Sequence, residues 1–265
     1  MTKPPKTIFP NHFTRQWYQQ VSKLIEQDRK ANYKAWSEEI MPLIHEYRRI
    51  IGDSTNFTYD SPLDEIMIIL ERLRQRAENS IFTNALLTAI ADQFVKGINR
   101  HEKANLKRQI NSVRGVDPIA RESWLEGFMK TAIKDNVNWI KSIARDQHDK
   151  VETIVMQGVR RGQSINEMAK EIREVSKVSK KRASFIARDQ TGSILGDLTK
   201  TRQQQLGLKK FRWSTSGDNR VRDEHADLDG KVFTWKDGAN GLYPGTDYGC
   251  RCVAEPIEDE LMDIQ

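Results

Sequence analysis

The sequence predicts an α+β fold, mainly α-helical with long helices and a small C-terminal α+β module, on three observations. Up to about Gly207, apolar residues recur at intervals of three and four, the spacing of one helical face. Beyond Gly207 the period changes to alternation, and glycines, aromatic residues and both cysteines gather there. With 30% charged and 37% hydrophobic residues, the composition suits long helices with solvated faces better than a compact globule.

The first helical stretch covers roughly residues 11–51. Phe13, Trp17, Val21, Leu24 and Ile25 mark its inner face, and Tyr33, Trp36, Ile40, Leu43, Ile44 and Tyr47 extend it. Pro42 predicts a kink or break, because proline lacks the amide hydrogen of the helical ladder. Residues 52–56 stop the pattern. Ser61 then reads as a cap, Pro62 as the first helical position, and Asp64 and Glu65 as acids placed where the helix dipole favours them. Ile66, Ile69, Leu70 and Leu73 line this helix; Phe82, Leu86, Ala89, Ile90, Phe94 and Ile98 line the next. A break at Gly115-Val116-Asp117-Pro118 marks the expected subdomain boundary. Helix resumes from about Trp124 to Arg160, and Gly162 with a Ser164/Glu167 capping box opens a short helix ending near Val175. Ser179 is expected to cap a further helix that stops at Gly207. Strands are predicted at 210–215, 231–235 and 251–254, with a short helix within 219–228 and a frayed acidic tail from Glu258.

Length permits one large or two modest domains. No apolar run approaches the roughly 18 residues that span a bilayer, so no membrane partner is expected. The opening Met1-Thr2-Lys3-Pro4-Pro5-Lys6 lacks the apolar centre of a secretion signal and reads as a flexible arm. Two cysteines one residue apart do not make a disulfide framework, and cytoplasmic synthesis is the default. A net charge of +6 is a small excess of 43 basic over 37 acidic residues; it permits attraction to phosphate polymers and equally fits an ordinary mixed surface.

The residues with distinctive chemistry lie between Phe211 and Cys252. In an extended segment Cys250 and Cys252 share a face, and His225 adds a nitrogen, with Asp223, Asp218 or Asp247 as a fourth donor of the kind zinc accepts. Zinc held by His225, Cys250, Cys252 and Asp223 would staple a small glycine-rich fold. The alternative is that the thiols are buried hydrophobes or a redox-sensitive pair, with His225 bonded to a carboxylate. Asp218 reads as a helix cap paired with Arg222; the rival is a metal-dependent nuclease or other hydrolase using His225 as base beside Asp218 and Asp229. Trp213, Phe233, Trp235 and Tyr243 fit core positions better than base-stacking platforms. Lys177, Lys180, Lys181, Arg182 and Arg188 form the candidate contact with double-stranded DNA, non-specific and through phosphates; a solvated helix face explains them equally well. His12, His45, His101 and His148 read as surface or boundary residues.

Several elements in order resemble the phage Mu protein F-like family of minor head, or head morphogenesis, proteins. They are Trp213, Asp218, Arg220, Arg222, His225, Leu228, Gly230, the loop Tyr243-Pro244-Gly245, and Cys250-Arg251-Cys252. Ala187-Arg188-Asp189-Gln190-Thr191 is similar to the family's Ala-Arg-Thr-Glu segment, with Asp189 and Gln190 replacing threonine and glutamate. The resemblance spans roughly residues 136–256. It implies a non-enzymatic protein made in the host cytoplasm, packaged in the capsid interior or at the portal vertex, and partnered by the portal and neighbouring capsid proteins. On this reading, 1–117 is a helical docking region, 118–208 the helical part of the Mu F-like region, 209–257 the compact α+β module with Trp213, Asp218, Arg220, Arg222, Leu228 and Gly230 as its structural motif, and 258–265 an acidic tail.

Overall fold

A computed structural model of the chain describes residues 4–53, 62–113 and 122–264. The stop at 54–56, the Ser61 cap and the break at 115–118 lie outside the described residues. The architecture is mainly α-helical: α1 (Asn11–Ala35), α2 (Met41–Asp53), α3 (Pro62–Arg76), α4 (Asn84–Val113), α5 (Leu125–Arg160) and α6 (Ile165–Gln205). The α+β module follows as β1 (Lys210–Ser214), α7 (Asp223–Ala226), β2 (Val232–Thr234) and β3 (Val253–Pro256), and α8 (Glu258–Met262) comes last.

Pro42 does not break the first helical run. A π-helical turn, Trp36–Ile40, joins α1 to α2, with the Met41 amide donating to the Trp36 carbonyl. The wider turn lies where Pro42 offers no amide to the carbonyl one turn back, so the defect becomes a bulge. The capping box at α6 is present: Ser164 N–H reaches Glu167 at 3.1 Å and Glu167 N–H reaches Ser164 Oγ at 3.2 Å. The new helix expected at Ser179 is absent, because α6 runs unbroken through it. Ser176 and Ser179 donate back to the Arg173 and Val175 carbonyls at 3.2 and 3.1 Å, satisfying their hydroxyls inside the helix.

The chain forms two compact units, each assembled from separate stretches: Met1–Trp17, Ile90–Asn136 and Phe185–Gln265 in the first, Tyr18–Ala89 and Val137–Ser184 in the second. They interleave in sequence. The second unit buries an apolar cluster. Trp36, Ile40 and Ile44 meet Ile66, Leu70 and Leu73 of α3, Val151, Val155 and Val159 of α5, and Met168 and Ile172 of α6. Trp36, Ile40, Ile44, Ile66, Leu70 and Leu73 are among the positions that helical periodicity marks as inward-facing.

In the first unit, β1 is the central strand of a three-stranded antiparallel sheet, ordered β2-β1-β3. Phe211 stands opposite Phe233 on one side and Pro256 on the other. Phe211, Trp213, Trp235 and Ala254 share a core with both cysteines. The acidic tail is not frayed. Leu261 and Ile264 bury against Leu106, Ile110 and Leu208, and Glu260 accepts the Lys209 and Lys210 amides at 2.8 and 3.0 Å. The arm before α1 is also pinned, since Glu255 accepts both Thr7 N–H and Thr7 Oγ1–H, at 2.8 and 2.9 Å. Gln109 Nε2 donates to Glu255 at 2.7 Å and to the Pro5 carbonyl at 3.0 Å. Burial pushes the Glu255 carboxyl up from its ordinary value.

A buried ionic knot ties the same unit. Arg202 of α6, 2% exposed, donates to Glu102 of α4, to Glu122 and to Asn99 Oδ1. Lys103 Nζ lies 3.2 Å from Glu122 and completes the charge balance. Arg202→Ala leaves the buried Glu102 carboxylate without its cation and Glu122 with Lys103 alone, so it should cost about 3–5 kcal/mol. Arg202→Lys should recover only part of this, because an ammonium cannot fork to three partners. Urea unfolding of both variants checks this; a loss below about 1 kcal/mol for the alanine, the level of a surface pair, would refute it.

Candidate metal centre

The site assembles from two loops. Residues 219–222 lead into α7, a single turn that presents His225 inward, while the segment before β3 supplies Cys250 and Cys252. All three side chains are buried, and His225 Nδ1 lies 3.6 Å from Cys250 Sγ and 3.5 Å from Cys252 Sγ. Their ligand atoms fall within 4.8 Å of one another, and they form the one such His/Cys/acid cluster among the described residues. The edge of Trp213 meets the imidazole at 5.5 Å between ring centroids.

The surroundings favour negative sulfur. Cys252 N–H points at Cys250 Sγ across 3.4 Å. A hydrogen bond from the Cys252 thiol lowers the pKa of Cys250, with its neighbouring amides and His225 adding to the effect against burial. The same bond and burial raise that of Cys252, so the pair holds one proton far more readily than none. A cation between two sulfurs and a neutral imidazole nitrogen would replace that proton.

Asp223 does not belong to the cluster. It is exposed in the first turn of α7, where a carboxylate suits the helix end, and it is not among the clustered ligand atoms. The carboxylate nearest the imidazole is Asp247, with Oδ2 3.4 Å from Nε2, a contact lacking hydrogen-bond alignment. It sits on the far side of the ring from the sulfurs, where a carboxylate orients a metal-binding histidine.

Ionic clasps hold the two loops together. Arg251 forks onto Asp218 at 2.7 and 2.6 Å, and Arg220 adds a contact to the same carboxylate at 2.8 Å. Asp218 thus caps no helix; it accepts the Arg220 amide two residues on, and α7 starts later with Arg222 at its cap position. Nor does Arg222 pair with Asp218. It binds Asp247 at 2.7 Å and the Tyr248 carbonyl, steadying the carboxylate behind His225. Leu228 packs on the aromatic core, and Gly230 takes φ 75°, turning the chain so that its amide donates to the Trp213 carbonyl.

Sequence reasoning missed what supports the cysteines. A Cβ on Gly192 or Gly196 of α6 would lie closer than 3.0 Å to the carbonyl oxygen of Cys250 or Pro244, respectively. The loop therefore rests directly on the helix backbone, and Asp189, one turn before Gly192, accepts the Gly249 amide at 2.9 Å. The signal was available: two glycines four apart inside a long helix cost stability unless something packs on them.

Trp213 and Trp235 are core residues, with Phe211 and Trp235 centroids 4.3 Å apart. Of the candidate DNA contacts, Lys177 pairs with Glu174, Lys180 with Glu26 and Arg182 with Asp146; Lys181 is exposed and Arg188 half-buried. The carboxylates of a His225-centred hydrolase are engaged elsewhere, Asp218 by the arginines and Asp229 by the Thr215 amide and hydroxyl. His148 is no surface residue; it is 6% exposed, with Nε2 3.2 Å from buried Asp28.

A family model described as phage Mu protein F like protein matches residues 149–255. Residues 149–255 belong to that family. The Mu F-like region contains the whole triad and its clasps. An uncharacterized protein of Haemophilus influenzae is 33% identical over 203 residues, covering 75% of this chain and 44% of that protein. An uncharacterized protein of Methanocaldococcus jannaschii is 30% identical over 107 residues, covering 40% of this chain and 17% of that protein. The chain thus spans less than half the length of these relatives. No solved structure matches.

Two outcomes follow for the Mu F-like region. Gly192→Ala should cost about 1–3 kcal/mol, because the Cys250 backbone must move aside; an unchanged unfolding midpoint would refute the close approach. The arginines hold the Asp218 carboxyl well below its usual range, so its stabilising effect is present above about pH 4 and fades as pH falls through the depressed value. Thermal melts of Asp218→Asn should therefore lie below wild type at neutral pH and converge with it in strong acid. A constant gap across that range would refute the clasp.

Proposed function

We propose that the protein is a minor head protein acting in head assembly at the portal vertex, and that zinc closes its Mu F-like module as a structural staple. The observation that carries the second part is the convergence of His225, Cys250 and Cys252 from two loops into one buried cluster. Two thiolates and an imidazole are a donor set that zinc prefers, and they fill three of the four positions of a tetrahedral ion. The residues fit the ion: the sulfurs gather on one ring nitrogen, and a carboxylate stands behind the other. Zinc there would supply a cross-link between the α7 loop and the segment entering β3.

The same geometry supports a building role over a hydrolytic one. His225 is 3% exposed, its ring packed against both thiols and the Trp213 ring, which suits a ligand or core residue better than a solvent-facing base. Asp218 and Asp229 act as loop fasteners. DNA contact is secondary in this reading, since three of the five candidate cations already carry acidic partners.

Protein purified without chelator should contain close to one equivalent of zinc, and Cys252→Ser should lose both the ion and thermal stability. Less than about a tenth of an equivalent in wild type would refute the staple. For the assembly role, a premature stop in the coding frame should abolish infectious particles, and antibody should detect the chain in purified wild-type virions. Normal particle yield without the chain would refute it.

A further inference from the structure

The second unit contains a cavity of about 290 Å³ that has no part in the metal centre. Ala77, Phe82, Ala144 and His148 form its buried floor. Around them stand Arg74 from α3 and Lys141 and Arg145 from α5, facing Glu78 as the one acid of the lining. Asn84, the first residue of the 30-residue α4, reaches the same space, and that helix carries no acid in its first turn.

The charges are not all spent internally. Arg74 is engaged by Asp149 and Glu152, each at 2.9 Å, which fixes its guanidinium. Lys141 and Arg145, four residues apart on one face of α5, have no ion-pair partner among the described residues. Two cations spaced one turn apart on a helix repel each other, Glu78 is the one acid of the lining to offset them, and the helix start adds further positive potential. His148 sits one turn beyond Arg145, held through Nε2 by Asp28, which itself accepts hydrogen bonds from Gln147 and Asn32. The floor is therefore rigid and polar at one point, and the rim is cationic.

We infer that this cavity binds a phosphate group, gripped by Lys141 and Arg145 at the N-terminal end of α4. A tetrahedral dianion satisfies both cations and the helix end at once, which a monovalent anion cannot do. The guanidinium of Arg145 offers a fork matching two phosphate oxygens, and the ammonium of Lys141 a point charge. The phosphate can be free or borne on a nucleic acid backbone; the chemistry of the grip is the same, and the two sources differ in what competes.

The experiment is thermal denaturation and calorimetry of the full chain with inorganic phosphate, against sodium chloride of equal ionic strength. Phosphate should raise the melting temperature saturably beyond the chloride control. The double variant K141Q/R145Q should lose at least tenfold in affinity. Asn84→Asp gives a second check, because the new charge opposes phosphate while suiting the start of a helix, so folding is retained. If duplex DNA displaces phosphate and binds the double variant more weakly, the source is the nucleic acid backbone. If DNA leaves the phosphate response unchanged, the source is free phosphate. No saturable response to phosphate or DNA, or an equal response in wild type and both variants, overturns the site. Zinc content plays no part in this readout, so its outcome is independent of the staple.

Discussion

The approach of the 244–250 loop to the bare backbone of α6 is the constraint on which the metal centre depends. Gly192 and Gly196 leave no side chain between helix and loop, and Gly245, at φ 89°, turns the loop tightly enough to follow. Asp189 then receives the Gly249 amide, so the residue before Cys250 is placed by the helix itself. A cysteine on a free loop would sample many positions. Here its backbone is set by contact with a 41-residue helix, which is as rigid a support as this fold contains.

The charged residues of the motif make sense as fasteners around that contact. Arg251 lies between the two cysteines and reaches Asp218, while Arg222 reaches from beside α7 to Asp247 and the Tyr248 carbonyl. The two clasps run in opposite directions between the same loops, so neither loop can shift without breaking an ion pair. Both are partly exposed, and each alone is worth little in water. Their effect is geometric: they restrict the loops so that three soft ligands meet without a large ordering cost when an ion arrives.

Much of this was legible in the sequence, and the failures have physical causes. The helical stripes of α3 and α5, the capping box of α6, the alternating strands and the His/Cys/Cys convergence all follow from local periodicity and ligand type. Ser179 misled because serine serves equally as cap or as internal donor to a carbonyl one turn back, and only the surrounding helix decides. The acidic composition of α8 hid Leu261 and Ile264, two apolar anchors too few to register as a pattern. Asp223 and Asp247 could not be told apart by spacing, since the choice depends on which face of a one-turn helix meets a loop more than twenty residues away. His148 was lost for a similar reason: its partner Asp28 lies 120 residues earlier in the chain.

Partners far apart in sequence also organise the first unit. Its stretches are far apart in sequence, and buried or half-buried polar knots join them, or join distant parts of one of them, in addition to apolar contacts. Glu255 joins the stretch before α1 to α4 and β3; Arg202 joins α6 to α4 and the segment before α5; His225 meets the cysteines. Apolar contact alone tolerates sliding of one helix on another, since neighbouring turns offer similar surfaces. A buried carboxylate or guanidinium tolerates none, because every misregistered arrangement leaves a charge without its partner. The polar knots therefore select one arrangement from many of similar hydrophobic burial. The triad acts on a shorter scale: an ion held by two sulfurs and an imidazole nitrogen would accept only a narrow range of distances.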